Sequence, residues 1–303
     1  MSTEASWTPP ATRELRTPDG RLLRYCLYGP EGGEPVFALN GTPDTRWVRP
    51  EGVAAYEDAG LRVLVYDRPG YGGSTRRPGR TVGDAAQDVG ALARAMGWDR
   101  FAVTGFSGGG PHALACAALL PGRVTRCAAM MSPAPFDAPG LDFFAGMAAD
   151  DVRCYRLAAA GDPALRPLLE RGGAEAVARV ERGEPMLAPD GGAPDSDLER
   201  LRARPAAADP GRVARNRAMW LDGVDGRLDD LAALSRPWGF DVREIGAPTS
   251  IWYGLADAFV PRQHGDWLRT QVPGAQSFTF PGGHVPDEDD ECRMLGWLAP
   301  ASA

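Results

Sequence analysis

The chain contains no lysine; all 33 of its basic side chains are arginine. That excludes a Schiff-base lysine and the cation of a P-loop. Isoleucine occurs only at 245 and 251 and asparagine only at 40 and 216, a bias that reads as the codon usage of a GC-rich genome. Cysteine is sparse as well. Cys26, Cys116, Cys127, Cys154 and Cys292 are scattered, odd in number and free of C-x-x-C spacing. This argues against a zinc site and a disulfide framework, and the five read as buried free thiols. No metal or cofactor is expected. No apolar run follows a basic N-terminal region, and no stretch approaches the ~20 apolar residues of a membrane span. The expected location is the cytoplasm. A net charge of −7 without a long basic block argues against nucleic acid as the main partner. A small-molecule substrate, no membrane partner and a monomer or homodimer are the corresponding expectations.

A length of 303 residues suits one large domain or a core carrying an insert. The first residues, rich in Ser, Thr and Pro, read as a flexible tail over 1–12. Arg13 to Thr17 and Leu22 to Tyr28 alternate around Pro18-Asp19-Gly20, the pattern of a β-hairpin. Short apolar strands are expected at Pro35–Leu39, Leu61–Tyr66, Arg100–Thr104 and Arg123–Met131. Helical spacing covers Thr81–Met96, with Thr81 and Asp84 resembling a capping box, and Pro111–Leu120. Such alternation of buried strands and helices predicts an α/β class with a mostly parallel sheet. From about Pro133 to Arg236 strands vanish. Helices are expected there around Leu141–Ala159, Ala164–Arg179, Asp195–Arg204 and Val213–Leu221, with breaks such as Asp190-Gly191-Gly192. Strands return at Thr249–Gly254 and Gln276–Phe280, with helices over Arg262–Gln271 and Asp287–Leu298.

Gly105-Phe106-Ser107-Gly108-Gly109 fits G-x-S-x-G between an expected strand and an expected helix. A serine on such a turn has its hydroxyl pushed above the sheet, and the small glycines relieve the crowding. The helix N-terminus behind it suits a developing oxyanion. Outside that context the same five residues would be an ordinary tight turn.

A serine hydroxyl needs a general base, and the chain has three histidines. His112 follows Ser107 on its own helix, where it cannot easily turn back. His264 falls inside an expected surface helix and reads as a solvated residue. His284, in Pro281-Gly282-Gly283-His284 after a strand end, is the candidate base; the alternative is a surface-loop histidine. Asp257, in the loop after the Ile251 strand, is the candidate acid that holds the imidazole tautomer. The alternative is a simple helix N-cap near Pro261. Asp241 precedes its strand and lies at the wrong edge.

The order Ser107…Asp257…His284 is that of α/β-hydrolases. With Asn40-Gly41-Thr42-Pro43, Asp67 to Ser74, Gly105 to Gly109, Gly254 to Pro261 and Gly282-Gly283-His284, the chain from about Arg13 onward resembles an α/β-hydrolase-fold protein of the single-domain, helical-cap type. The resemblance implies a core over 13–132 and 237–303, a helical cap over 133–236, and Ser107, Asp257 and His284 as the triad. The backbone N–H of Gly108 would give one oxyanion donor, and by resemblance Thr42 the other. Asp67 to Ser74 reads as a glycine-rich structural loop. Asn40 stands where the family usually has His, either as a structural replacement or with a substrate-specific role. Phe106, Met131, Phe136, Phe143, Phe144, Met147 and Trp220 are candidates to line a pocket, although side chains of this kind at helical spacing normally pack into the core.

The expected chemistry is hydrolysis of an ester, lactone or related acyl bond of an apolar small molecule, with C–C cleavage also open. By resemblance, serine at the turn disfavours epoxide hydrolase and haloalkane dehalogenase chemistry, which use aspartate there. The alternatives are a non-hydrolytic protein of the same fold (cyclase, lyase or ligand-binding) in small-molecule or secondary metabolism, and a ligand receptor.

Overall fold

The computed structural model describes residues 8–187, 192, 194–203 and 211–299. The expected tail up to position 7, the 190–191 part of the glycine break and Arg204 lie outside these residues. An antiparallel pair, β1 (Arg13–Arg16) and β2 (Leu22–Tyr28), opens the chain. Then follow β3 (Glu34–Leu39), α1 (Pro50–Asp58), β4 (Leu61–Tyr66), α2 (Ala85–Met96), β5 (Phe101–Phe106), α3 (Gly110–Leu119) and β6 (Val124–Met130). Five helices come next: α4 (Ala149–Ala160), α5 (Leu165–Glu181), α6 (Asp195–Ala203), α7 (Arg212–Met219) and α8 (Asp225–Leu234). The chain returns through β7 (Thr249–Gly254), α9 (Gln263–Gln271), β8 (Gln276–Phe280) and α10 (Glu288–Leu298).

The strands form one sheet in the order β1-β2-β4-β3-β5-β6-β7-β8. Only β2 breaks the parallel arrangement, pairing antiparallel with both β1 and β4. Side chains alternate between faces along each strand. Phe37, Val103 and Ala129 join α2 and α3 in one core cluster. Val36, Ala102 and Ala128 join Leu295 and Leu298 of α10 in another. β7 is covered on both faces and buries every position, Thr249 and Ser250 included, so its pattern is not an alternating one.

Several elements depart from the sequence expectations, each for a visible reason. α1 has no buried residue and so lacks an apolar stripe to betray it. The buried face of α8 includes Asp229 and Asp230, so apolar periodicity misses it. The helix expected from Leu141 begins only at Ala149; turns precede it, with Gly146 at φ +75°. Thr81 and Asp84 form a turn before α2, where Asp84 Oδ2 accepts from the Thr81 N–H at 2.8 Å. Cys292 is exposed, whereas the other four cysteines are buried as expected. Among the described residues, no helix is long and apolar enough to cross a membrane.

α8 docks on the sheet edge by charge. Arg76 pairs with Asp225 and Asp229, and the fully buried Asp230 pairs with Arg68 and Arg80, each at 2.6 Å.

Candidate active site

β5 delivers Ser107 to the carboxyl edge of the sheet, where a single 3-10 turn, Ser107–Gly109, leads into α3. Ser107 adopts φ +52°, a region few non-glycine residues occupy. The two motif glycines are forced by close backbone approach. A methyl on Gly105 would lie 2.2 Å from Gly109 O, and one on Gly109 would lie 2.1 Å from Leu39 O. The turn can form only because both positions lack a side chain.

The loop after β8 carries His284 to the same edge, and the loop after β7 carries Asp257. His284 Nδ1 lies 2.7 Å from Asp257 Oδ2, with the carboxylate fully buried. The other oxygen, Oδ1, accepts from the N–H groups of Phe259 and Val260 at 2.8 and 2.9 Å. The two readings of Asp257 therefore hold together: one oxygen organises the turn before α9 and the other faces the imidazole. That pairing leaves Nε2 as the free ring nitrogen. Phe106 and Phe259 stand edge-on to the ring at 5.2 and 5.3 Å. Among the described residues no hydrogen bond joins Ser107 to His284; bonds of this kind are commonly long in the absence of substrate.

Two further carboxylates bear on His284. Asp197 of α6, fully buried, accepts from the His284 N–H at 2.7 Å and the Val285 N–H at 3.3 Å. Arg200 of the same helix donates to Val285 O. Asp151 of α4 lies within electrostatic range of His284 and Asp257, and burial pushes its carboxyl up to about 6. Burial alone would lower the His284 pKa, but Asp257, then Asp197 and Asp151, outweigh it and raise the pKa above 6.5.

The loop after β3 lies against the serine turn. A methyl on Gly108 would come within 2.4 Å of Thr42 Oγ1 and 3.5 Å of Thr42 N, so the two expected donors are neighbours. The Asn40 amide donates to Thr45 O at 2.7 Å, within its own loop. Among the described residues no group of three or more His, Cys, Asp or Glu is arranged to hold a metal ion.

A family described as alpha/beta hydrolase fold matches residues 34–165. Solved structures extend the likeness over nearly the whole chain. An enol-lactonase from Burkholderia xenovorans LB400 is 19% identical, with 94% of this chain and 98% of that one covered at a TM-score of 0.66. An esterase from Rhodococcus sp. ECU1013 is 20% identical, with 95% and 96% covered at 0.64. Epoxide hydrolase A from Mycobacterium thermoresistibile is 20% identical, with 96% and 97% covered at 0.66. The chain has the alpha/beta hydrolase fold.

Within this fold, the other two histidines are buried, which corrects the reading of His264 as solvated. It lies on α9 but faces inward, fully buried, with Nδ1 accepting from the Ala134 N–H and Nε2 facing Phe143 O. His112 sits beneath the loops, its Nε2 3.6 Å from Asp230 Oδ1. Of the apolar side chains expected near the site, Phe106 packs on His284. Met131 is fully buried in the second core cluster. Phe136, Phe143 and Phe144 pack on one another, and Phe143 packs on His264. Met147 is buried in the first cluster, and Trp220 packs between Gly173 and Arg227.

Sequence reasoning missed Asp151, Asp197 and Asp230 altogether and placed Arg68 only within a structural loop. No local signal marks them. They are ordinary members of a chain with 40 acidic and 33 basic residues, and their partners lie as many as 188 positions away.

Proposed function

We propose that the protein is a serine hydrolase that cleaves an ester, lactone or related acyl bond of an apolar small molecule. The observation that carries this reading is the strained Ser107 turn at the same sheet edge as a buried His284–Asp257 pair. His284 Nε2 takes the Ser107 proton as Oγ attacks the acyl carbon. The backbone N–H groups of Thr42 and Gly108 receive the resulting oxyanion. Collapse expels the leaving group, which takes the proton from His284 and leaves an acyl-serine. His284 then deprotonates a water that attacks the acyl carbon, and Ser107 leaves with the returned proton. The Phe106 and Phe259 rings beside His284 support an apolar substrate.

On this reading residues 13–132 and 237–303 form the catalytic core, and 133–236 act as a cap that excludes water and selects the substrate. The contacts of α6 with the His284 loop support that division. The protein would work in the cytoplasm as a monomer or homodimer.

The test is labelling by a fluorophosphonate probe, with a screen of p-nitrophenyl esters of graded length, lactones and amides alongside. The expected result is stoichiometric labelling that Ser107→Ala abolishes. A folded protein that stays unlabelled, or equal labelling of Ser107→Ala, would refute the reading.

A further inference from the structure

One carboxylate of the inserted helices reaches the oxyanion loop. Asp230 Oδ2 accepts from Thr42 Oγ1 at 2.8 Å, Arg68 Nη2 at 2.6 Å and the Tyr71 hydroxyl at 2.9 Å. Its Oδ1 accepts from Arg80 Nη2 at 2.6 Å and Arg68 Nε at 3.2 Å. Burial opposes ionisation of Asp230. The Arg68 and Arg80 guanidiniums, with His112, outweigh it and hold the carboxyl well below the usual range. Arg68 is therefore clamped as a cation in a place almost closed to solvent.

Its remaining N–H groups are spent on the loop before Thr42. Nη1 donates to Asn40 O, and the Nη2 hydrogen not directed at Asp230 is shared between Gly41 O at 2.7 Å and Thr42 Oγ1 at 2.9 Å. The Gly41 carbonyl and the Thr42 N–H belong to one planar trans peptide and point in opposite directions. Pinning the oxygen fixes the aim of the N–H. A carbonyl that accepts from a cation also polarises its own amide, which makes that N–H a stronger donor.

We propose that Arg68 is the positioning residue for the oxyanion donor at Thr42, and that Asp230 makes this positioning depend on the seating of α8. The inserted helices thus complete the oxyanion site from behind the loop, without touching substrate there. The proposal rests on the serine-hydrolase reading. Among the described residues Tyr71 bonds the same Asp230 oxygen, packs its ring against Arg68 at 5.7 Å and makes no hydrogen bond to the loop, so losing its hydroxyl alone separates loop positioning from mere support of the seam.

The experiment compares wild type, Arg68→Met, Asp230→Asn and Tyr71→Phe. The readouts are the rate of fluorophosphonate labelling, kcat and KM on the best p-nitrophenyl ester, and affinity for a trifluoromethyl ketone, whose serine adduct carries an oxyanion. Arg68→Met is expected to lose ~100-fold in labelling rate, kcat and ketone affinity, with KM within ~3-fold, as for loss of an oxyanion donor. Asp230→Asn should lose ~10-fold in the same three quantities, a partial loss of that effect. Tyr71→Phe should keep kcat within ~2-fold even where its melting temperature falls, because no oxyanion donor is disturbed. A folded Arg68→Met that labels at the wild-type rate overturns the proposal. So does a kcat loss in Tyr71→Phe equal to that of Arg68→Met at matched loss of stability. If Arg68→Met does not fold, the near-isosteric Asp230→Asn decides, and an unchanged kcat overturns the proposal. A folded wild type that is never labelled overturns the serine-hydrolase reading and this proposal with it. A labelled wild type with unaffected variants overturns this proposal alone.

Discussion

Protonation of His264 should unlock the joint between the core and the inserted helices. The ring is fully buried on α9. Its Nδ1 accepts from the Ala134 N–H at 3.2 Å, and its Nε2 lies 3.0 Å from Phe143 O. Both contacts are satisfied only by the neutral Nε2–H tautomer; a proton on Nδ1 would face another donor. Burial lowers the pKa from 6.5 to about 4. Between those values the unfolded chain binds a proton that the folded chain refuses, so stability rises with pH. The contribution is fully present above about pH 6.5 and is lost as the pH falls toward 4. At 1.36 kcal/mol per pH unit the whole effect is about 3 kcal/mol, most of it gone by about pH 4.5. His284 has the opposite sign: its pKa is raised, so its contribution is present below the unfolded value and lost as the pH rises. The assay is urea unfolding of wild type and His264→Asn at about pH 7.5, 6 and 4.5. Every other titrating group is shared, so the difference between the two pH profiles isolates His264. The wild type should lose about 2 to 3 kcal/mol more than the variant over that range. Parallel profiles within about 0.5 kcal/mol would refute the reasoning.

The acid limb of kcat/KM should lie above pH 6.5, because the base must be neutral and its pKa is raised. Asp151→Asn or Asp197→Asn should move that limb to lower pH in a pH–rate profile, and an unmoved limb would remove those carboxylates from the account. Gly109→Ala should destabilise the protein by about 3 kcal/mol in denaturant titration and depress labelling of Ser107, since the new methyl would sit 2.1 Å from Leu39 O. Wild-type stability in that variant would refute the crowding at Gly109.

The pieces legible in the sequence were those with local signatures. Buried parallel strands announce themselves as short apolar runs, and turns announce themselves by Gly and Pro. The Ser107 turn could be read because its geometry demands glycine at 105 and 109, a local and therefore visible requirement. Asp257 and His284 were traceable because loops at the carboxyl ends of parallel strands converge on one edge. α8 was missed because the side chains it buries are partly aspartates, which apolar periodicity counts as solvent-facing. His264 was misjudged because a helix position does not reveal which face tertiary packing will cover.

By itself, then, the sequence determined most of the succession of strands and helices along the chain, the serine turn and the candidates for its partners. All of these follow from constraints acting over a few residues. Only the tertiary structure decided that Asp197 grips the His284 loop, that His264 is a buried joint and that Asp230 reaches Arg68 beneath Thr42. Those are pairings of common charged or polar side chains far apart in the chain. Their energies depend on burial and distance, quantities that exist only once the chain has folded.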